Sequence, residues 1–241
     1  MRRVRYQEIA DDLRDRAVDA APGSLLPSES ELSTEFGASR VTVRRALELL
    51  RDEGLVAARQ GFGWFVATEP VRQRLERLGT IEGQLRTSGR AAARQVVEFE
   101  LADPPPHVRE VLGADRVLRV KRVNLADGEP FAVVTVWCPA AYGQRLSLDD
   151  VERRPFYELL GLDLRGATQT IGADAASAAD ADLLAVPVGA PLLTCRRTTT
   201  DADGRPVLFS EHRFPAHRTE FVVDLPHDEP TITPSGLRLV E

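Results

Sequence analysis

Residues 26–66, LPSESELSTEFGASRVTVRRALELLRDEGLVAARQGFGWFV, hold two short helical patterns, a tight turn between them and a closing strand pair with a Gly-x-Gly tip. Pro27-Ser28-Glu29 opens the first helix, with Ser28 as its N-cap and Glu31 three residues on, a capping-box spacing. Leu32 and Phe36 face inward, and Gly37 ends the helix at a position suited to positive φ. Ser39 caps the next helix, Arg40 to Glu53, whose core face is Val43, Ala46, Leu47 and Leu50; Gly54 stops it. Leu55 to Ala58 and Trp64 to Ala67 make two short strands around Arg59-Gln60-Gly61-Phe62-Gly63, a hairpin with glycines at its turn. Upstream, Tyr6, Ile9, Ala10, Leu13 and Ala17 share one face of a helix over 6–18, which Pro22-Gly23 ends.

Three helices closed by a hairpin outline a winged helix-turn-helix, a module that sets one helix in the major groove of DNA. Such a helix docks its N-terminal residues against bases and phosphates, and Ser39, Arg40, Thr42 and Arg44 occupy that part of the third helix. Arg40, Arg44 and Arg51 lie together at the edge of the apolar stripe, whereas Thr42 and Arg45 project elsewhere. Charge supports a local contact only. Residues 1–68 hold ten Arg against eleven Asp and Glu, a balance of −1, while 39–61 hold five Arg against three acids, about +2. The chain has thirty Arg and a single Lys, Lys121, so an arginine by itself is a weak signal here.

At 241 residues and 43% hydrophobic content there is room for a small domain and a medium one, each with its own core. The net charge of −6 argues against indiscriminate nucleic-acid binding. No stretch approaches the roughly 18 apolar residues of a membrane span, and the basic N-terminus has no apolar signal core. Cys138 and Cys195, far apart and outside any CxxC, read as buried free thiols in a reducing cytoplasm. A cytoplasmic protein with no cofactor, no metal and no membrane partner is therefore expected.

Residues 68–79, TEPVRQRLERLG, read as a polar, Arg-rich tether with a short helix. Beyond Thr80, strands alternate with short helices: strand over 94–101, helix over 104–112, strands over 116–125 and 130–138 around Asp127-Gly128, helix over 155–160, strand over 168–173, helix over 178–184. Strands over 192–200 and 206–214 then flank a second Asp-Gly, Asp203-Gly204, and 220–224 supplies a last strand. The second half repeats the first. Val117-Leu118, Arg122, Asp127-Gly128 and Pro130 recur as Leu192-Leu193, Arg197, Asp203-Gly204 and Pro206. A helix-hairpin unit used twice predicts an antiparallel sheet partly covered by helices, an α+β layer. The domains expected are a head over 1–68, a link over 69–79 and an α+β domain over 80–241.

Residues 6–67 resemble the N-terminal domain of the GntR family of bacterial transcription regulators. The resemblance rests on Leu26-Pro27-Ser28-Glu29, Ser39-Arg40, Thr42-Val43-Arg44, Ala46-Leu47, Gly54-Leu55-Val56 and Gly61-Phe62-Gly63. It implies operator contacts from Ser28, Ser39, Arg40, Thr42, Arg44 and Arg45, and a wing tip, Gln60-Gly61, in the minor groove. Two positions depart from the family pattern: Ser30 stands where an Arg is frequent, and Trp64 where the wing has Thr or Ser.

Residues 79–224 resemble the effector-sensing UTRA domain of the family's HutC branch, through the repeated hairpin with its Arg and Pro, Pro155 to Leu160, and Gly204, Pro206, Ser210 and Phe214. That implies a chorismate-lyase-like fold, homodimerisation through this domain, and a ligand pocket that controls DNA affinity. A helix starting at Thr80-Ile81 offers free backbone N–H groups to an anion, and Arg122 supplies a cation. With Asn124, Thr135 and Ser210 these residues make the expected pocket for a phosphate-, phosphonate-, sugar-phosphate- or carboxylate-type effector. Asn124 stands where relatives binding phosphorylated sugars have a second Arg, and Val134-Thr135 where relatives often have Glu.

An enzyme is the weaker reading: no HExxH, no G-x-S-x-G and no base beside either cysteine is present. A ligand-independent architectural protein would leave the acidic, duplicated domain without a purpose. The reading favoured is a homodimeric repressor that binds a near-palindromic double-stranded operator under control of a small effector.

Overall fold

A computed structural model of the chain describes residues 5–59, 62–67, 70–75, 85 and 89–225. The head is built as its periodicity dictates. α1 (Arg5–Asp19), α2 (Glu29–Glu35) and α3 (Arg40–Asp52) enclose a core of Ile9, Leu13, Leu32, Val43, Ala46, Leu47 and Leu50, all buried. Ser28 caps α2 in a complete capping box with Glu31, and Gly37 follows at φ +55, where a Cβ would be strained. β1 (Val56–Arg59) and β2 (Gly63–Val66) pair antiparallel as the wing. Alternation along β2 sends Trp64 and Val66 into the head core, and Phe65 into a different cluster that belongs mostly to the second domain.

The link departs from its expected form. Val71–Arg74 is a strand, β3, and not a solvated tether with a helix. It pairs parallel with β10 (Thr219–Val222), register Val71↔Thr219 to Arg74↔Val222, as a two-stranded sheet of its own. The alternation that allows this is short: Val71 and Gln73 are buried while Arg72 between them is exposed and pairs with Glu220. A four-residue strand among arginines gives too little pattern to be read from composition.

The second domain is a six-stranded antiparallel sheet in the order β4-β5-β6-β9-β8-β7. Its strands are β4 (Ala92–Ala102), β5 (Val117–Ala126), β6 (Glu129–Pro139), β7 (Leu164–Ala175), β8 (Pro191–Asp201) and β9 (Pro206–Pro215). The duplication is visible as symmetry. Strand-helix-hairpin units β4-α4-β5-β6 and β7-α8-β8-β9, with α4 (Pro106–Leu112) and α8 (Ala178–Leu184), meet through the central β6–β9 pair. Thr135 pairs with Glu211, its own mate at the 76-residue offset, so the pseudo-two-fold axis passes between them. Both Asp-Gly turns form; Asp127 (φ +54) and Gly128 (φ +86) take the left-handed pair that a two-residue hairpin needs.

One face of the sheet carries Leu118, Val120, Val134, Val136, Cys138 and Phe214, covered by α6 (Leu148–Arg153), α7 (Phe156–Leu159) and Leu85. The other carries Val123, Val133, Trp137 and Phe209, covered by α4 and α8. α6 and the short α5 (Ala140–Gly143) are elements the sequence reading left unassigned. No helix among the described residues is long and apolar enough to cross a membrane.

Candidate functional site

The end of the head that carries the expected operator-contacting residues is built by α3 and by the turn before it. Ser39 accepts from the Thr42 amide at 3.2 Å and meets the Thr42 hydroxyl at 2.8 Å, so this hydroxyl pair shapes the helix start. Arg40 donates to Ser30 Oγ at 2.9 Å; the small side chain that departs from the family pattern therefore positions a neighbouring arginine. Arg44 donates through Nε (3.0 Å) and Nη2 (2.7 Å) to the Glu29 carboxylate, which also accepts from Trp64 Nε1 at 3.2 Å. Arg44, ahead of the Trp64 N–H, holds the Glu29 carboxyl below its usual range against the opposing cost of burial. Trp64 thus packs inside the head and braces the carboxylate that aims Arg44.

Arg45 lies elsewhere, with its guanidinium 4.4 Å from the centre of the Tyr6 ring of α1. Ser28 engages its hydroxyl in the α2 cap, and Gln60 and Gly61 lie outside the described residues. One residue was missed from sequence: Val41, 78% exposed between Arg40 and Thr42 at the first turn of α3. In helices that read the major groove, an exposed apolar side chain is the kind of group that meets a thymine methyl. Its signal was available, since the helical wheel puts Val41 opposite the core stripe.

On the second domain, cross-strand register decides which predicted effector residues share a face. Arg122↔Val134↔His212↔Cys195 form one row and Val120↔Val136↔Ser210↔Arg197 the next, both on the face covered by α6, α7 and Leu85. Asn124 lies on that face too, wholly buried. Arg122, Asn124 and Ser210 are therefore brought together, and His212, whose Nε2 lies 2.9 Å from Ser210 Oγ, joins them. Thr135 is not. It sits on the opposite face with Lys121, Glu211 and Arg196, because strand side chains alternate. Thr80 and Ile81 lie outside the described residues; Leu85, a few residues on, is buried against the Arg122 face.

Arg197, the repeat mate of Arg122, donates to Gln169 Oε1 (2.8 Å) and the Tyr157 hydroxyl (3.0 Å). This sheet face carries Arg122, Asn124, Arg197, Ser210 and His212 among the apolar core side chains of Val120, Val134 and Val136. It holds no thiolate chemistry: burial pushes Cys138 and Cys195 up to about 12. Among the described residues no cluster of three or more His, Cys, Asp or Glu is placed to hold a metal.

The sequence of this chain matches two family descriptions, "Bacterial regulatory proteins, gntR family" over residues 5–66 and "UTRA domain" over 87–220. It is 35% identical over 229 residues to the HTH-type transcriptional regulator Rv0792c of Mycobacterium tuberculosis, covering 91% of this chain and 83% of that one. It is 27% identical over 230 residues to the HTH-type transcriptional repressor NagR of Bacillus subtilis, covering 90% and 93%. The crystal structure of PhnF from Mycobacterium smegmatis superposes with a TM-score of 0.62 at 26% identity, covering 90% of this chain and 99% of that one. The chain belongs to the GntR family of bacterial transcriptional regulators, with a UTRA effector domain behind its winged helix-turn-helix.

Proposed function

We propose that the chain is a homodimeric repressor that reads two half-sites of a near-palindromic operator and is controlled by a small anionic metabolite. The division is a DNA-reading head over 1–68, a link over 69–79 and a sensing and dimerising domain over 80–241. The observation that carries the reading is the arginine-and-valine ridge of α3, with Arg40 and Arg44 each aimed by a partner inside the head. Ser39, Thr42 and the Gln60-Gly61 wing tip complete the contact surface. Removing Arg40 or Arg44 as Ala weakens operator binding in gel shifts while circular dichroism and dimerisation stay unchanged. Wild-type affinity in both variants would sink the assignment of this helix.

The effector side of the reading places a phosphate-, phosphonate- or carboxylate-type group beside Arg122 and Asn124, with Ser210 and His212 as hydroxyl partners. Support comes from the shared face of these four residues and from the buried, hydrogen-bonded Ser210–His212 pair. A thermal-shift screen with inorganic phosphate, sugar phosphates and sugar acids finds the class. Titration calorimetry of Arg122→Ala against the best hit then tests the site, and undiminished affinity rejects it. No shift with any member of a broad screen favours a DNA-binding protein that takes no ligand.

A further inference from the structure

The wing of the head is not free of the sensing domain. Phe62 and Phe65 are 4% and 6% exposed, and they form one buried cluster with Val123, Val133, Leu184 and Leu192 of the second domain. Both rings meet His217, Phe62 at 3.8 Å between centroids and Phe65 at 4.9 Å. The next residue, Arg218, is buried and charged, and it bridges the two domains. Its Nη2 donates to the Gly23 carbonyl of the head, its Nη1 donates to the Pro130 carbonyl at 2.8 Å, and Glu129 lies 4.0 Å away. Its own carbonyl accepts from the Val71 amide at 2.7 Å, where the β3–β10 pairing begins.

We propose that His217 and Arg218 form a latch that holds the wing against the sensing domain, and that the latched arrangement is the form released from DNA. Phe62 directly follows the wing tip, so a wing docked on His217 presents the sensing domain where a minor groove would have to approach. Arg59, the cation of β1, lies in the field of His217 and, with burial and Arg218, keeps that ring neutral. The latch also has a line to the sensing face. His212 stacks on Phe214 (5.9 Å, 14°), Phe214 meets Phe221 edge-on (5.6 Å, 84°), and Phe221 lies on β10, zipped to the link. An effector on Ser210 and His212 therefore acts on the strand that runs directly into the latch, and one that favours the latched form lowers operator affinity.

The direction of the effect rests on the repressor reading above; the existence of the latch does not. Two variants test it, Arg218→Met, which removes the bridge, and His217→Ser, which removes the aromatic stack from the sensor side. Hydrogen–deuterium exchange on the full chain, with neither DNA nor effector, reads the latch directly. Peptides covering 22–24 and 62–67 exchange faster in both variants, while the β5, β6, β8 and β9 peptides keep wild-type protection. Fluorescence anisotropy on the DNA upstream of the gene reads its consequence: operator affinity without effector rises by about five- to 150-fold, the usual span of coupling between sites. Unchanged exchange at 22–24 and 62–67 in His217→Ser, with an intact sheet, overturns the latch. Faster exchange with unchanged or weaker operator binding overturns its identity as the released form. If no variant binds DNA while exchange responds as stated, the operator reading fails and the latch stands.

Discussion

Replacing Arg44 by Ala separates the work of positive charge from that of fold. Its Nε and Nη2 are held by Glu29, so the side chain arrives at DNA already oriented, with Nη1 for a phosphate or base edge. The side chain is more than half exposed, and its pair with Glu29 is a surface pair that adds little to stability. Fold is therefore unaffected, while each head loses one contact. Each phosphate contact steepens the dependence of log K on log salt by about 0.9, so two heads lose about 1.8 in slope. Between 50 and 200 mM salt, a fourfold change, the wild-type advantage over Arg44→Ala then shrinks by about 12-fold. Anisotropy titrations at four salt concentrations measure this. Val41→Ala is the internal control: it removes apolar contact and no charge, so the slope stays at the wild-type value. The same variant loses about fourfold in affinity per half-site where the contacted base is thymine, from about 0.8 kcal/mol for the one of its two lost methyl groups that the thymine methyl buries. An unchanged slope for Arg44→Ala means that Arg44 stays on Glu29 when DNA binds, and the reasoning fails.

Ser39→Ala removes an N-cap whose hydroxyl accepts from the Thr42 amide; it costs the head about 1 kcal/mol and lowers its melting midpoint by about 4–8 °C in calorimetry. Thr135→Ala leaves effector affinity at the wild-type value in calorimetry whereas Ser210→Ala lowers it, because the two residues occupy opposite faces of the sheet. Acid weakens the docking of the wing. Burial, then the Arg218 and Arg59 charges, lower His217 from its usual 6.5 to about 3, against a backbone hydrogen bond with Gly23 that works the other way; Glu129 faces Arg218 in the same junction. Between those values the undocked histidine binds the proton and the docked one does not. Docking therefore loses about 1.4 kcal/mol per pH unit below 6.5, or about 2 kcal/mol by pH 5. Exchange at 62–67 measured from pH 7 to pH 5, corrected for intrinsic rates, reads it, and a flat profile in wild type contradicts the neutral docked His217.

The parts of this molecule legible in the sequence are those whose information is local. Caps at Ser28 and Ser39, the stop at Gly37 and the period of Val43, Ala46, Leu47 and Leu50 each lie within a few residues of the structure they specify. The duplicated hairpins were legible for a different reason: two copies of one pattern reinforce each other, and the sheet joins them along β6 and β9. Register across that join was not legible. Thr135 falls next to Val134 in sequence, and only the pairing with Glu211 shows that it faces away from Ser210 and His212. The role of the link was hidden as well, since β3 acquires its partner from residues about 148 positions later.

The same limit explains why the junction escaped a reading that found both domains. Phe62, Phe65, His217 and Arg218 each look ordinary in their own segment: two wing phenylalanines, one histidine after a strand, one arginine among thirty. Their meaning comes from a contact between segments that carry no shared pattern. Duplication sharpens the contrast. In the second copy Arg197 is held by Gln169 and Tyr157 within the sheet and its covering helix, a structural use of the repeated arginine. Arg122, in the copy that also supplies Pro130 to the latch, shares its face with Ser210 and His212 from the other copy. The two hairpins carry the same arginine and give it different neighbours. The proposed ligand meets Arg122, and β9, the strand leaving that shared face, leads into His217 and Arg218 at the head.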